Sequence, residues 1–146
     1  MAATKLALRV LGERCAALDT EVARLDAELD RLTAQAAPRL RQLCGVGPEI
    51  AGALLVAAGD NPGRLHREAA FSMLCGASPI QASSGKTVRH RLNRGGNRQA
   101  NTALSQIVVV RLRWHQPTRD YLARRTTQGL SKKEIIRCFI GRVSVL

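Results

Sequence analysis

The sequence predicts a mainly α-helical chain in which a long N-terminal coiled-coil helix leads into a compact helical domain. Three observations carry this expectation. Apolar residues recur at alternating spacings of three and four from Leu8 to Leu32, the signature of a helix with one apolar seam. Further helix-spaced apolar runs follow, separated by Gly and Pro where a helix must stop or start. A hydrophobic content of 45% over 146 residues is enough for one ordinary core, which excludes a wholly disordered chain.

In chain order, the first element is the seam itself. Leu8, Cys15, Val22 and Leu29 take the a positions of a heptad, and Leu11, Leu18, Leu25 and Leu32 take the d positions. Asp19, Glu21, Asp26 and Glu28 flank it, so the mostly acidic flanks oppose a parallel homodimer and suit a basic partner helix or an antiparallel arrangement. A long amphipathic helix laid over its own domain is the competing reading. Pro38 marks the boundary, which gives a coiled-coil helix over 1–38 and a second domain over 39–146.

Segment 40–58 reads as a helix, a tight Gly-x-Gly turn through Gly45 and Gly47, and a second helix opened by Pro48. This is a helix-hairpin-helix-like pattern. Glycines let the backbone approach a phosphate, and the free N–H groups of the second helix point at it. The small residues Gly52, Ala53, Ala57 and Ala58 serve close helix packing equally well. A loop follows at Asp60 to Leu65, then a short helix from Glu68 to Cys75. Residues 77–98 form a basic serine-containing loop with neither helical nor strand periodicity. A helix resumes from Gln99 to Trp114, and two more run over Arg119 to Arg125 and Ser131 to Phe139, with Gly129 as the break and Ser131 as N-cap.

Charge points to function. The chain carries a formal net charge of +12, and no Asp or Glu occurs between Glu68 and Asp120. Eight positions from Lys86 to Arg119 are basic. Such a field attracts nucleic acid by neutralising phosphates and releasing counterions. Four scattered cysteines without a C-x-x-C pair suggest neither a zinc site nor a disulfide framework and read as a reduced, cytosolic protein. No apolar run is long enough to span a bilayer, and the first residues meet charge too early for a secretory signal. Read from the residues alone, Ser83-Ser84-Gly85 is an ordinary turn.

The stretch GDNPGRLHREAAFSMLCGASPIQASSGKTVRHRLNRGGNRQANTAL resembles the C-terminal domain of transposases of the insertion sequence 110 family, with its 116 and 902 groups. The resemblance covers residues 40–138, and the heptad helix matches the coiled coil that leads into that domain in the family. It implies a bacterial, nucleoid-associated recombinase. An N-terminal ribonuclease-H-like domain supplies four acidic residues that hold magnesium, the C-terminal domain supplies a nucleophilic serine, and a structured guide RNA directs target choice. The serine preceding glycine matches, so Ser84 is the candidate nucleophile, with Ser83 its neighbour. Lys86, Arg89, Arg91, Arg94 and Arg98, with Asn97, Gly45 and Gly47, are the candidate DNA contacts.

Two departures shape the expectation. The chain begins at the coiled coil, without the magnesium-binding domain, and it leaves the family pattern after Cys138. Gly63 also stands where members commonly carry an acidic residue. The leading reading is a truncated transposase that binds DNA, carries no metal or cofactor of its own, is inactive alone, and contributes Ser84 when paired with a magnesium-bearing nuclease domain. Association with itself or an intact transposase would run through the heptad helix. The alternatives are a helix-hairpin-helix module that binds DNA without chemistry, or a guide-RNA-binding fragment. Only four aromatics occur and none interleaves with the basic loop, which disfavours recognition by base stacking.

Overall fold

A computed structural model describes residues 2–60, 63, 65, 67–78, 80–85, 90, 91 and 93–143. The described chain is mainly helical, in the order α1 (Ala2–Ala36), α2 (Pro38–Arg41), α3 (Pro48–Ala58), α4 (Glu68–Leu74), β1 (Ile80–Gln81), β2 (His90–Arg91), α5 (Arg98–Trp114), α6 (Gln116–Thr127) and α7 (Lys132–Val143). Much of the loop expected over Asp60 to Leu65 lies outside the described residues.

Helix α1 follows from its Ala, Leu, Glu and Arg content, all strong helix formers. It stops at Ala37, whose φ of −144° and ψ of 67° are the non-helical backbone that a following proline favours. Its last turns pack on α3. Thr33 is buried there, and a Cβ at Gly52 would lie 3.2 Å from the Leu29 side chain. That proximity gives Gly52 a packing role. Towards its N-terminus the same helix leaves Leu8, Leu11, Leu18, Val22 and Leu25 exposed.

The helix before the Gly-x-Gly turn is short. After α2, a single turn, the chain bends through Gly45 (φ +86°) to Gly47, the extended N-cap of α3. Pro48 then begins α3 where its missing N–H costs nothing. Gly59, at φ +71°, ends it with its N–H on Leu55 O at 2.9 Å.

The core is built around α5, which packs against α3, α6 and α7. Ala103, Leu104, Ile107 and Val108 of α5 meet Ala51, Leu54 and Ala57 of α3, with Cys75 beneath them. Helix α5 ends at His115, whose Nδ1 lies 2.9 Å from the buried Thr118 Oγ1 at the start of α6. At α7, Glu134 accepts from Ser131 N at 2.9 Å, and the Ser131 hydroxyl accepts from Glu134 N at 3.4 Å. This reciprocal capping box makes Ser131 the N-cap, as expected. The Ser131 bonds hold the Glu134 carboxyl below its ordinary pKa.

The segment expected to be loop throughout contains a short antiparallel ribbon. Ile80 pairs with Arg91 and Gln81 with His90. Two residues per strand are too few for any alternating pattern to register.

One close approach fixes this ribbon to the body. Gly76 (φ +64°) and Gly96 come so near each other that a Cβ at Gly96 would overlap the backbone of Gly76 and Cys75. The obstacle is backbone, which cannot turn aside. Gly96→Ala is therefore expected to cost more than about 2 kcal/mol, at the upper end of overpacking effects, measured as a lowered urea midpoint at unchanged m-value.

Candidate nucleic-acid interface

The basic loop leaves the body after α4 and returns at α5, and both of its ends are pinned. Helix α4 finishes with carbonyls that have no partner inside the helix. Three asparagines at four-residue spacing take them. Asn93 Nδ2 donates to Met73 O at 3.3 Å, Asn97 N donates to Leu74 O at 2.6 Å, and Asn101 Nδ2 donates to Cys75 O at 2.9 Å. Asn93 Oδ1 also accepts from Gly95 N at 3.0 Å, which folds the Arg94-Gly95-Gly96 turn.

Asn97 thus has a structural task. Its Oδ1 accepts from Ala100 N at 3.0 Å and caps α5. A DNA contact was expected of this side chain, but its oxygen is committed to the helix. The sequence signal was present, since Asn97 immediately precedes the apolar periodic run of α5.

The other candidates separate into groups. Ser84 lies in the connection between β1 and β2 and is exposed, and Gly85 beside it has φ +56° with open space around its Cα. Arg91 on β2, Arg94 in the turn and Arg98 at the first position of α5 fall on the return limb of one loop. The structure leaves the backbone there close to the surface, with Arg94 and Arg98 exposed. Lys86 and Arg89 lie outside the described residues.

Gly45 faces inward. A Cβ there would lie 3.2 Å from Ile107 O and 3.4 Å from Val110 Cβ, so close packing on α5 adds to the left-handed φ of +86° in requiring glycine. Gly47 has open space around its Cα.

Two arginines hold the turn between them. Arg111 Nε donates to Cys44 O at 2.8 Å, and Arg41 donates to Val46 O at 2.9 Å while pairing with Asp30. Arg111 is only 7% exposed, and burial lowers its pKa from the ordinary guanidinium value. One of the eight basic positions between Lys86 and Arg119 is therefore internal. Its position four residues after Ile107 on the apolar face of α5 was the available signal.

The two helix N-termini near the site differ electrostatically. The first turn of α3 contains Glu49, whereas that of α5 contains no acidic residue. An anion is therefore better received at α5. Between the two helices lies an open groove of about 430 Å³, with Glu49 on one side and Arg98 and Gln99 on the other.

Among the described residues no three His, Cys, Asp or Glu side chains come together to hold a metal ion. Nor is any helix among the described residues long and apolar enough to cross a membrane.

A family model described as Transposase IS116/IS110/IS902 family matches residues 37–123. No curated protein matches the chain. The matched span contains α2 to α5, the ribbon and the first part of α6, and so includes all the candidate residues named above.

The capping role of Asn97 makes a prediction. Asn97→Ala should lower stability by about 1 kcal/mol, as N-cap losses do, while Asn97→Asp should be tolerated. Denaturant unfolding checks both.

Proposed function

The chain belongs to the IS116/IS110/IS902 transposase family, and we propose on that premise that it binds DNA through the loop over 77–98 and presents Ser84 to a DNA phosphodiester. The observation that carries this reading is the limb from Arg91 to Arg98, which joins three cations to a carboxylate-free helix N-terminus. Arginine forks suit bidentate phosphate contact, and the N–H groups opening α5 add positive potential in the same place. The loop rises from a body that supplies its rigidity and adds no carboxylate of its own between Glu68 and Asp120.

Ser84 is the proposed nucleophile. Its Oγ would form a bond to phosphorus as a strand oxygen leaves, and the arginines would stabilise the charge gathering on the phosphoryl oxygens. A serine hydroxyl must lose its proton to attack, and the loop holds no carboxylate to accept it. That task falls to a group outside the loop, which fits a chain that acts together with the nuclease domain its family resemblance implies. The Gly45–Gly47 turn is a secondary backbone contact in this reading. Gly45 itself is turned towards α5, and Glu49 opposes an anion at α3.

The reading is tested by salt titration of duplex binding, followed by fluorescence anisotropy. Replacing Arg91, Arg94 and Arg98 with alanine should weaken binding and reduce the slope of log K against log salt by roughly 0.9 for each phosphate that is no longer neutralised. An unchanged slope removes the loop from the interface. Tighter binding to structured RNA than to duplex DNA would replace DNA with RNA as the partner.

Ser84→Ala should leave that affinity unchanged. Supplied with a full-length family transposase that lacks its own serine, the unaltered chain should form a denaturant-resistant protein–DNA adduct and the Ser84→Ala chain should not. No adduct from either would end the nucleophile role and leave DNA binding standing.

A further inference from the structure

The open groove between α3 and α5 has more in it than phosphate contact requires. It measures about 430 Å³, inside the roughly 300–1,000 Å³ of small-molecule sites. Its less exposed lining is apolar and comes from both helices, as Ile50 and Ala53 of α3 and the buried Ala103 of α5. Two of these three are alanines, which leaves the space between the helices unfilled. Arg98, Gln99 and Gln106 stand on the α5 side and Glu49 on the α3 side, all exposed. None of these four side chains has a hydrogen-bond or ion-pair partner among the described residues. Thr102 on the same face is already committed, its hydroxyl donating to Arg98 O at 3.0 Å.

This mixture selects the occupant. Phosphate alone does not suit it, because a carboxylate on one wall repels an anion and an apolar floor offers it no donor. A cationic ligand is opposed by Arg98 and by a chain of net charge +12. A nucleobase matches every part, since its face covers the floor and its edge meets the amides and the carboxylate. Arg98 connects the groove to the loop. It is the last cation on the return limb that also carries Arg91 and Arg94, so a strand whose phosphates follow that limb arrives at the mouth of the groove. Gln106 lies eight residues further along α5, about 12 Å at 1.5 Å per residue. One helix can therefore serve both the phosphate and the base edge of a single nucleotide.

Glu49 decides which base. An ionised carboxylate only accepts, through two oxygens. Guanine alone among the four DNA bases presents two adjacent donors on its pairing edge, N1–H and the N2 amine. Adenine and cytosine each place one amine beside a ring-nitrogen acceptor, and thymine has a single N–H between two carbonyls. Each of those three sets a lone pair against the carboxylate.

We propose that the groove between α3 and α5 takes one unpaired guanine of the DNA strand bound on the loop, with the base on Ile50, Ala53 and Ala103. Glu49 accepts from N1–H and the N2 amine, Gln106 donates to O6, and Arg98 meets the phosphate. The proposal rests on the DNA-binding reading of the loop and adds base selection to it.

Fluorescence anisotropy of the full chain on short duplexes with one unpaired nucleotide tests it, because a base that is already unpaired costs least to extrude. A guanine bulge should bind roughly ten-fold tighter than a thymine or an abasic one, the scale of one bidentate contact. Glu49→Gln should abolish the preference for guanine over thymine. Ala53→Leu, which fills the floor, should bring the guanine bulge to the affinity of the abasic one.

Equal affinity for guanine and abasic bulges, alongside salt-dependent binding of the paired duplex, would overturn the groove and leave the loop reading standing. So would a Glu49→Gln chain that binds every probe more tightly by the same factor, since removing one negative charge from a surface facing DNA accounts for that. Guanine selection confined to all-RNA probes would overturn a DNA strand as the occupant. Failure to bind any duplex removes the loop reading and this proposal with it.

Discussion

The backbone approach between Gly76 and Gly96 is the constraint on which the placement of the basic loop depends. Two glycines without side chains let the end of α4 and the approach to α5 share almost the same space. Asn93, Asn97 and Asn101 can then reach the carbonyls of Met73, Leu74 and Cys75. Closing the ends in this way meets the entropic cost of the excursion within the body. The segment between them can stay polar, short of core packing and rich in arginine. A loop that must present charge to solvent cannot stabilise itself by apolar burial, so its anchor has to be made of backbone and amide groups.

The same economy divides the basic residues into two kinds. Arg111 and Arg41 reach inward, and each donates to a carbonyl in the Cys44–Val46 turn. Burying a guanidinium is tolerable only where such acceptors are waiting. Arg94 and Arg98 remain at the surface with their charge available. Net charge alone cannot separate these roles. Position on the helix can, because Arg111 continues the face that carries Leu104, Ile107 and Val108.

Much of the fold was legible from residues. Helical spacing located α1, α3 and α5, while Pro48 and Ser131 marked helix starts that the structure bears out. The boundary of α5 shifted by only one residue, since Arg98 rather than Gln99 is its first. What escaped was long-range. The pairing of Ile80 with Arg91 joins residues too few and too far apart to leave a pattern. The asparagine bonds to α4 link positions about 20 or more residues apart, and the inward turn of Gly45 depends on where α5 lies. At the site, the exposure of Ser84, Arg94 and Arg98 accords with their polar, glycine-rich surroundings, whereas the Asn97 oxygen caps α5.

Helix α1 is about 52 Å long at 1.5 Å per residue, and it meets its own body only near the last two turns. The remaining turns gain nothing from tertiary packing, and helices sustained by propensity alone are marginal in water. Their order is therefore coupled to whatever covers the seam. In a dilute solution the backbone amides of the first twenty or so residues should exchange with solvent nearly as fast as a fraying terminus, while those beside Thr33 stay protected.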